Sequence, residues 1–166
     1  MGHVMATEYF IQAYDDLSDA IFRHCLFRLS DRERALDATQ ETFMRVWKYI
    51  SEGNRIENIK AFLYRVANNI IIDEYRKKRP QSLDLLQDEG FDPVGEGKEE
   101  IIEAADAGIV IEHITRLPDH YRDVIVMRYI DGLSVKEIAL IIGESENNVS
   151  VRISRGLNKV RSLLLP

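Results

Sequence analysis

A single cysteine, Cys25, stands in the 166 residues. No internal disulfide can form, and a reducing cytoplasm is the expected compartment. Apolar runs are only a few residues long, as in Ile70-Ile71-Ile72, too short to cross a bilayer, so no membrane insertion is expected. No basic start followed by an apolar stretch marks a secretory signal. The histidines at 3, 24, 113 and 120 are scattered without a second or third ligand at metal spacing, so no metal site is expected. His24 beside Cys25 is no catalytic pair, because helix neighbours point about 100° apart. No phosphate-cradling glycine loop or nucleophile elbow is present. The sequence therefore predicts no catalytic residue, no cofactor and no small-molecule substrate.

What is present suits a soluble globular protein: 45% apolar and 30% charged residues, enough for one ordinary domain or two small ones. The net charge of −6 argues at first against a nucleic-acid partner. Its distribution reverses that inference. Residues 1–80 carry 13 Lys/Arg against 12 Asp/Glu, residues 81–111 one against nine, and residues 112–166 eight against seven. The sum of +1, −8 and +1 puts the whole deficit in one middle segment. Elsewhere the cations cluster, as Arg76-Lys77-Lys78-Arg79 and as Arg152, Arg155, Lys159 and Arg161.

Periodicity is helical on both sides of that segment. Phe10, Tyr14, Leu17 and Ile21 mark the stripe of a first helix. Ser30 and Glu33 have capping-box spacing. A second helix then turns Ala35, Ala38, Thr42, Phe43, Val46, Trp47 and Ile50 inward until Gly53 stops it. A third, from about Ile56, buries Ile59, Leu63, Val66, Ile70 and Tyr75 before Pro80. Residues 81–108 lose periodicity and read as a flexible acidic linker, about 30 Å across as a coil. Beyond it, Ile109–Leu117 and Tyr121–Tyr129 form helices around Pro118. Asp131-Gly132 makes a turn, Ser134 and Glu137 match a second capping box, and Gly143 separates a short helix from a longer one starting near Glu146 and running through Val149, Ile153, Leu157, Val160 and Leu164.

The segment Leu133–Arg161 has the form of a helix-turn-helix, whose second helix enters a major groove. Its polar positions Asn147, Asn148, Ser150, Arg152 and Arg155 suit base edges and phosphates. An ordinary helical hairpin with a solvated basic face is the alternative. Asn68, Asn69, Asp73 and Tyr75 precede the basic run at 76–79, a mix that suits phosphate contact with stacking of unpaired bases, or simply a solvated helix end. Asp37, Gln40, Glu41 and Arg45 form a polar ridge on the second helix.

The stretch from Asp37 through Gln40, Glu41, Phe43 and Arg45 to Trp47 resembles conserved region 2 of bacterial sigma factors. Residues 61–76, with Asn68, Asn69, Asp73, Tyr75 and Arg76, are similar to the promoter helix of the same group. Residues 117–139 resemble conserved region 4. With neither a region 1 nor a region 3 domain, the pattern is that of the extracytoplasmic-function (ECF) group of the sigma-70 family. This resemblance implies an all-α fold of two small domains, region 2 over 1–80 and region 4 over 109–166, joined by the linker at 81–108.

Roles follow from the same resemblance. Asp37, Gln40, Glu41, Phe43 and Arg45 would bind core RNA polymerase. Asn54 would lie in a loop capturing a flipped base of the minus-ten promoter element, and Asn68, Asn69, Asp73, Tyr75, Arg76, Lys77, Lys78 and Arg79 would contact and open that element. Ser134, Asn147, Asn148, Ser150, Arg152, Arg155 and Lys159 would read the minus-thirty-five element. An anti-sigma factor would be a further partner. Phe62, Asn148, Ser150, Val151 and Leu157 depart from the usual family residues, so no promoter sequence carries over. The implied protein is a transcription initiation factor without chemistry of its own; the alternatives are a sigma-like decoy that titrates an anti-sigma factor and a plain helix-turn-helix regulator.

Overall fold

The structure, a computed structural model, describes residues 2–78 and 106–165. The linker expected at 81–108 falls outside them up to residue 105, as does Arg79. Among the described residues there are seven α-helices, one π-helical turn and no strand. They are α1 (Gly2–Leu29), α2 (Arg32–Ser51), α3 (Ile59–Lys78), α4 (Ala107–Thr115), α5 (Asp119–Ile125), α6 (Val135–Ile142) and α7 (Glu146–Leu164), with the π-turn at Val126–Ile130. Two compact units result, one built on α1–α3 and the other containing α4, α5 and α7.

In the first unit α2 buries Ala35, Ala38, Thr42, Phe43, Val46 and Ile50, as its periodicity predicts. Trp47 is only half-buried and packs on Phe10, while Phe43 takes Tyr14 on its edge with centroids 4.9 Å apart. The expected capping box at Ser30 is corrected. Ser30 sits at φ 54°, where its N–H closes α1 onto the Leu26 carbonyl, and Asp31 caps α2 by accepting from the Arg34 N–H. A residue in the left-handed region ends a helix and cannot begin the next. The third helix starts at Ile59, after the expected Ile56, because the Asn58 carboxamide accepts from the Ala61 N–H and caps it.

The buried face of α3 also differs from its apolar stripe: Leu63, Tyr64, Ala67, Asn68, Ile70 and Ile71 are inside, and Val66 is half-buried. The cause is a polar core. Arg28, 2% exposed, donates through Nη1 to Asn68 Oδ1 at 2.7 Å and lies 3.1 Å from His24 Nε2. Tyr75 donates its hydroxyl proton to the Arg28 carbonyl, and its ring lies under the guanidinium. A buried cation is retained only where such acceptors replace its water.

In the second unit α4 begins at Ala107, ahead of the expected Ile109, because Asp106 accepts from the N–H groups of Gly108 and Ile109. Pro118 opens α5, and Tyr121, Val124 and Ile125 are buried. The helix expected to continue to Tyr129 widens into the π-turn, which Asp131 and Leu133 close through bonds to the Val126 and Met127 carbonyls. Ser134 and Glu137 form the expected reciprocal capping box. Gly143, at φ 72°, ends α6, and the Glu144 N–H reaches back to the Ala139 carbonyl. Ser145 then caps α7 by accepting from the Asn148 N–H. Val149, Ile153, Leu157 and Val160 are buried along α7, as predicted. Gly156 lies close against α5; a Cβ there would meet Ile125 Cγ1 at 3.0 Å.

Candidate polymerase and promoter interfaces

The outer face of α2 carries Asp37, Gln40 and Arg45 exposed and Glu41 half-buried, on successive turns of one ridge. Arg45 Nε donates to Glu41 Oε1 at 2.8 Å, holding the carboxylate over the ridge. Leu36 and Met44, 48% and 59% exposed, lie four residues either side of Gln40. Both went unnoticed in the sequence, although exposed Leu and Met amid polar groups are what a protein interface collects. Phe43 requires a correction: it is buried in the aromatic cluster with Phe10 and Tyr14, so it supports the ridge from beneath and offers no contact surface.

A groove of about 680 Å³ separates this ridge from α3, lined by Asp37, Glu41 and Arg45 on one side and Asp73, Glu74 and Lys77 on the other. Arg34 spans it to pair with Glu74. That hydrogen bond, outweighing partial desolvation, holds the Glu74 carboxyl below its ordinary value, with Lys77 adding to the effect.

Along α3 the exposed residues are Arg65, Asn69, Asp73, Arg76, Lys77 and Lys78. Steps of four, four and three place Arg65, Asn69, Asp73 and Arg76 on one strip, so an unpredicted cation extends the expected face by about one turn. Asn68 is the second correction: it is 5% exposed with its carboxamide oxygen committed to Arg28, so it anchors α3 from inside instead of facing DNA. Tyr75 is half-buried on the same network. Asn54 is exposed in the α2–α3 loop, where its amide donates to the Tyr49 carbonyl. Tyr49 and Phe62 face each other there with ring centroids 4.9 Å apart, an aromatic surface of the kind on which unpaired bases stack.

In the second unit Asn147, Asn148 and Ser150 are exposed on the first turns of α7, with Val151 beside them. Arg152 is half-buried and donates through Nη2 to both carboxylate oxygens of Glu144 at 2.6 Å. Arg155 is half-buried on the following turn. Lys159 does not join this group: 11 residues beyond Asn148, it lies about 16 Å further along the axis, with its ammonium over the Tyr121 ring. The Ser134 hydroxyl accepts from the Glu137 N–H, which commits it first to capping α6.

Comparison with known proteins gives this arrangement a family. The Sigma-70 region 2 family matches residues 13–81 and the Sigma-70, region 4 family matches residues 108–160. The ECF RNA polymerase sigma factor SigW of Bacillus subtilis is 32% identical over 165 residues, which spans 93% of this chain and 88% of SigW. This chain belongs to the ECF group of sigma-70 factors. The ECF sigma factor SigL of Mycobacterium tuberculosis is 29% identical across 91% of this chain and 86% of its own length. Two solved structures share the fold. The sigma factor RpoE of Bartonella quintana, in complex with the anti-sigma factor NepR, superposes with a TM-score of 0.71 at 22% identity, covering 95% of this chain and 97% of RpoE. CnrH, in complex with the cytosolic domain of CnrY, gives 0.70 at 23% identity, covering 98% and 94%. As a sigma factor, the chain carries its region 2 match over α1–α3 and its region 4 match over α4–α7. Among the described residues, no helix is long and apolar enough to cross a membrane.

Proposed function

We propose that this sigma factor binds core RNA polymerase through the α2 ridge, engages the minus-ten element through the exposed strip of α3 and its loop, and reads the minus-thirty-five element with the first turns of α7. The single observation that carries this assignment is that two sigma-70 regions match in order, the first over α1–α3 and the second over α4–α7. Within it, Asp37, Gln40, Glu41 and Arg45 form the polymerase contact. Asn54, Asn69, Asp73, Arg76, Lys77, Lys78 and Arg79 form the downstream DNA contact, and Arg65 joins them. Asn147, Asn148, Ser150, Arg152 and Arg155 form the upstream contact, with Ser134 and Lys159 at its margins. The domain limits 1–80 and 109–166, with the acidic linker between, complete the proposal.

The protein works by binding alone, in the cytoplasm, and performs no chemistry. The sigma factor RpoE, of the same fold, is held by the anti-sigma factor NepR, which supports such a factor as a partner here. No observation favours the decoy or the plain repressor. The test mixes the purified chain with core polymerase and a pool of promoter fragments, then follows co-purification and run-off RNA. Stable association with core and promoter-dependent transcripts are expected. DNA binding without core association would leave a plain helix-turn-helix regulator, and association without transcripts would leave a decoy.

A further inference from the structure

The pairing of Arg152 with Glu144 is unusual for a helix that must approach a polyanion. Helical side chains lean toward the N-terminus, so the Arg152 guanidinium lies back over the first turn of α7 and meets a carboxylate supplied by the preceding turn. The first turn is the end of a recognition helix that enters the groove. Both side chains stay partly open to solvent, at 23% for Arg152 and 31% for Glu144. Among the described residues Arg152 hydrogen-bonds only through Nη2, which leaves Nη1 and Nε as free donors. The backbone of the turn fixes Glu144 in place, because its N–H is bonded to the Ala139 carbonyl and Ser145 caps the helix immediately after.

The electrostatic consequence is specific. A lone arginine binds phosphate through its net charge and guanine through its fork of donors. A carboxylate at 2.6 Å cancels the net charge of the pair while leaving the directional N–H groups of Nη1 and Nε intact. Phosphate is then met by a neutral pair with an anionic oxygen at its edge, whereas the O6 and N7 acceptors of guanine are neutral and carry no such repulsion. A cytosine N4 amine can donate to the free lone pairs of Glu144.

We propose that Glu144 is a specificity-determining residue of the upstream promoter reader: it turns Arg152 from a phosphate-seeking cation into a neutral, directional reader of a G·C pair. This inference rests on α7 being the upstream reader.

The test assembles the full chain with core polymerase and selects from promoters randomised in the upstream element, for the parent, Glu144→Gln, Glu144→Asp, Arg152→Ala and the double variant Glu144→Gln with Arg152→Ala. The parent is expected to favour G·C at one position by about 5- to 150-fold. Glu144→Gln should erase most of that preference, tighten binding to scrambled sequences and steepen the salt dependence by about one phosphate contact. Glu144→Asp should keep the parent's salt slope, and Glu144→Gln should change base preference no further once Arg152 is alanine. If Glu144→Gln keeps the parent's base preference and salt slope, or weakens all sequences alike, Glu144 is only a structural partner and the proposal is wrong. An Asp variant behaving like Gln would overturn it equally, and guards against misreading a folding defect. If the parent does not bind core polymerase, the sigma assignment fails, and the same five chains on duplex DNA alone still decide the role of Glu144.

Discussion

The two helical units carry nearly the same net charge, yet they partner their buried arginines differently. The first takes Arg28 into its core and ties α1 to α3 with it, through Asn68 and the neighbouring His24. The second also buries an arginine, Arg122, but pairs it with Asp119 and Asp123 of its own helix, and it ranges Arg152, Arg155 and Lys159 along α7 at partly open positions. A buried arginine fixes the rotation of one long helix against another, since its donors must meet their acceptors at hydrogen-bond distance. The second unit adds caps, glycine stops and the close approach of α7 to α5 at Gly156. Net charge therefore says little about what either unit can touch. Placement decides it.

Breaking the polar core should have the largest effect. Arg28→Ala leaves a cavity and strands the Asn68 and His24 acceptors, and should cost about 3–5 kcal/mol. Denaturant titration read by amide exchange should show the loss in α1–α3 while the protection of α7 holds. Equal loss of protection in α7 would end the contrast between the units.

Next comes the α2 ridge. Removing charge-assisted interface contacts costs about 2–5 kcal/mol, so Gln40→Ala with Glu41→Ala should remove most affinity for core polymerase without altering the circular dichroism melt. Titration of labelled chain against core polymerase measures it directly. Undiminished affinity in the folded double variant would detach this ridge from the polymerase.

The close approach of α7 to α5 supplies a matched probe of the second unit. Gly156→Val drives two methyl groups toward Ile125 and should destabilise by about 1–3 kcal/mol, with exchange accelerating first in α5 and α7. Ser30→Gly should act in the opposite direction. It relieves the left-handed strain at φ 54°, and a gain of about 0.5–1 kcal/mol in α1–α3 is expected in the same assay.

The smallest effect is electrostatic. Because Arg34 lowers the folded-state value of Glu74, the pair's stabilisation is present above the ordinary carboxyl range and is lost as pH falls through the depressed value. For so open a pair the gain is about 1 kcal/mol or less. Glu74→Gln should therefore bring the parent and variant closer in stability at pH 3 than at pH 7.

These sites differ in how far the sequence revealed them, and the reason is range. Caps and glycine stops act within four residues, so Ser134, Gly143 and the start of α7 were legible from spacing alone. The same logic failed at Ser30, where two neighbouring residues can both cap and only the backbone angle of the link decides which does. Asn68 was misassigned because a polar residue next to a basic run looks exposed. Nothing local signals that an arginine 40 residues earlier claims it. Phe43 fitted both a core stripe and the family's contact motif, and burial separated the two roles. The Glu144–Arg152 pair, eight residues apart across a turn, lies just outside the three- and four-residue spacings that helical pattern analysis tests.

The π-turn at Val126–Ile130 makes one stretch of the chain a counted spacer. Its bonds span five and six residues where an α-helix would span four, so it holds more chain than a regular turn. Arg128 staples its exit by donating to the Leu133 carbonyl at 3.1 Å. Losing one residue there would let the helix close regularly and rotate everything beyond by about 100°, carrying the buried Leu133 off its side of the helix axis. Length drift among descendants of this chain should therefore collect in the α2–α3 loop, where Gly53 and its exposed neighbours can absorb it, and spare the interval from Pro118 to Ser134, where a single deletion would turn α6 and α7.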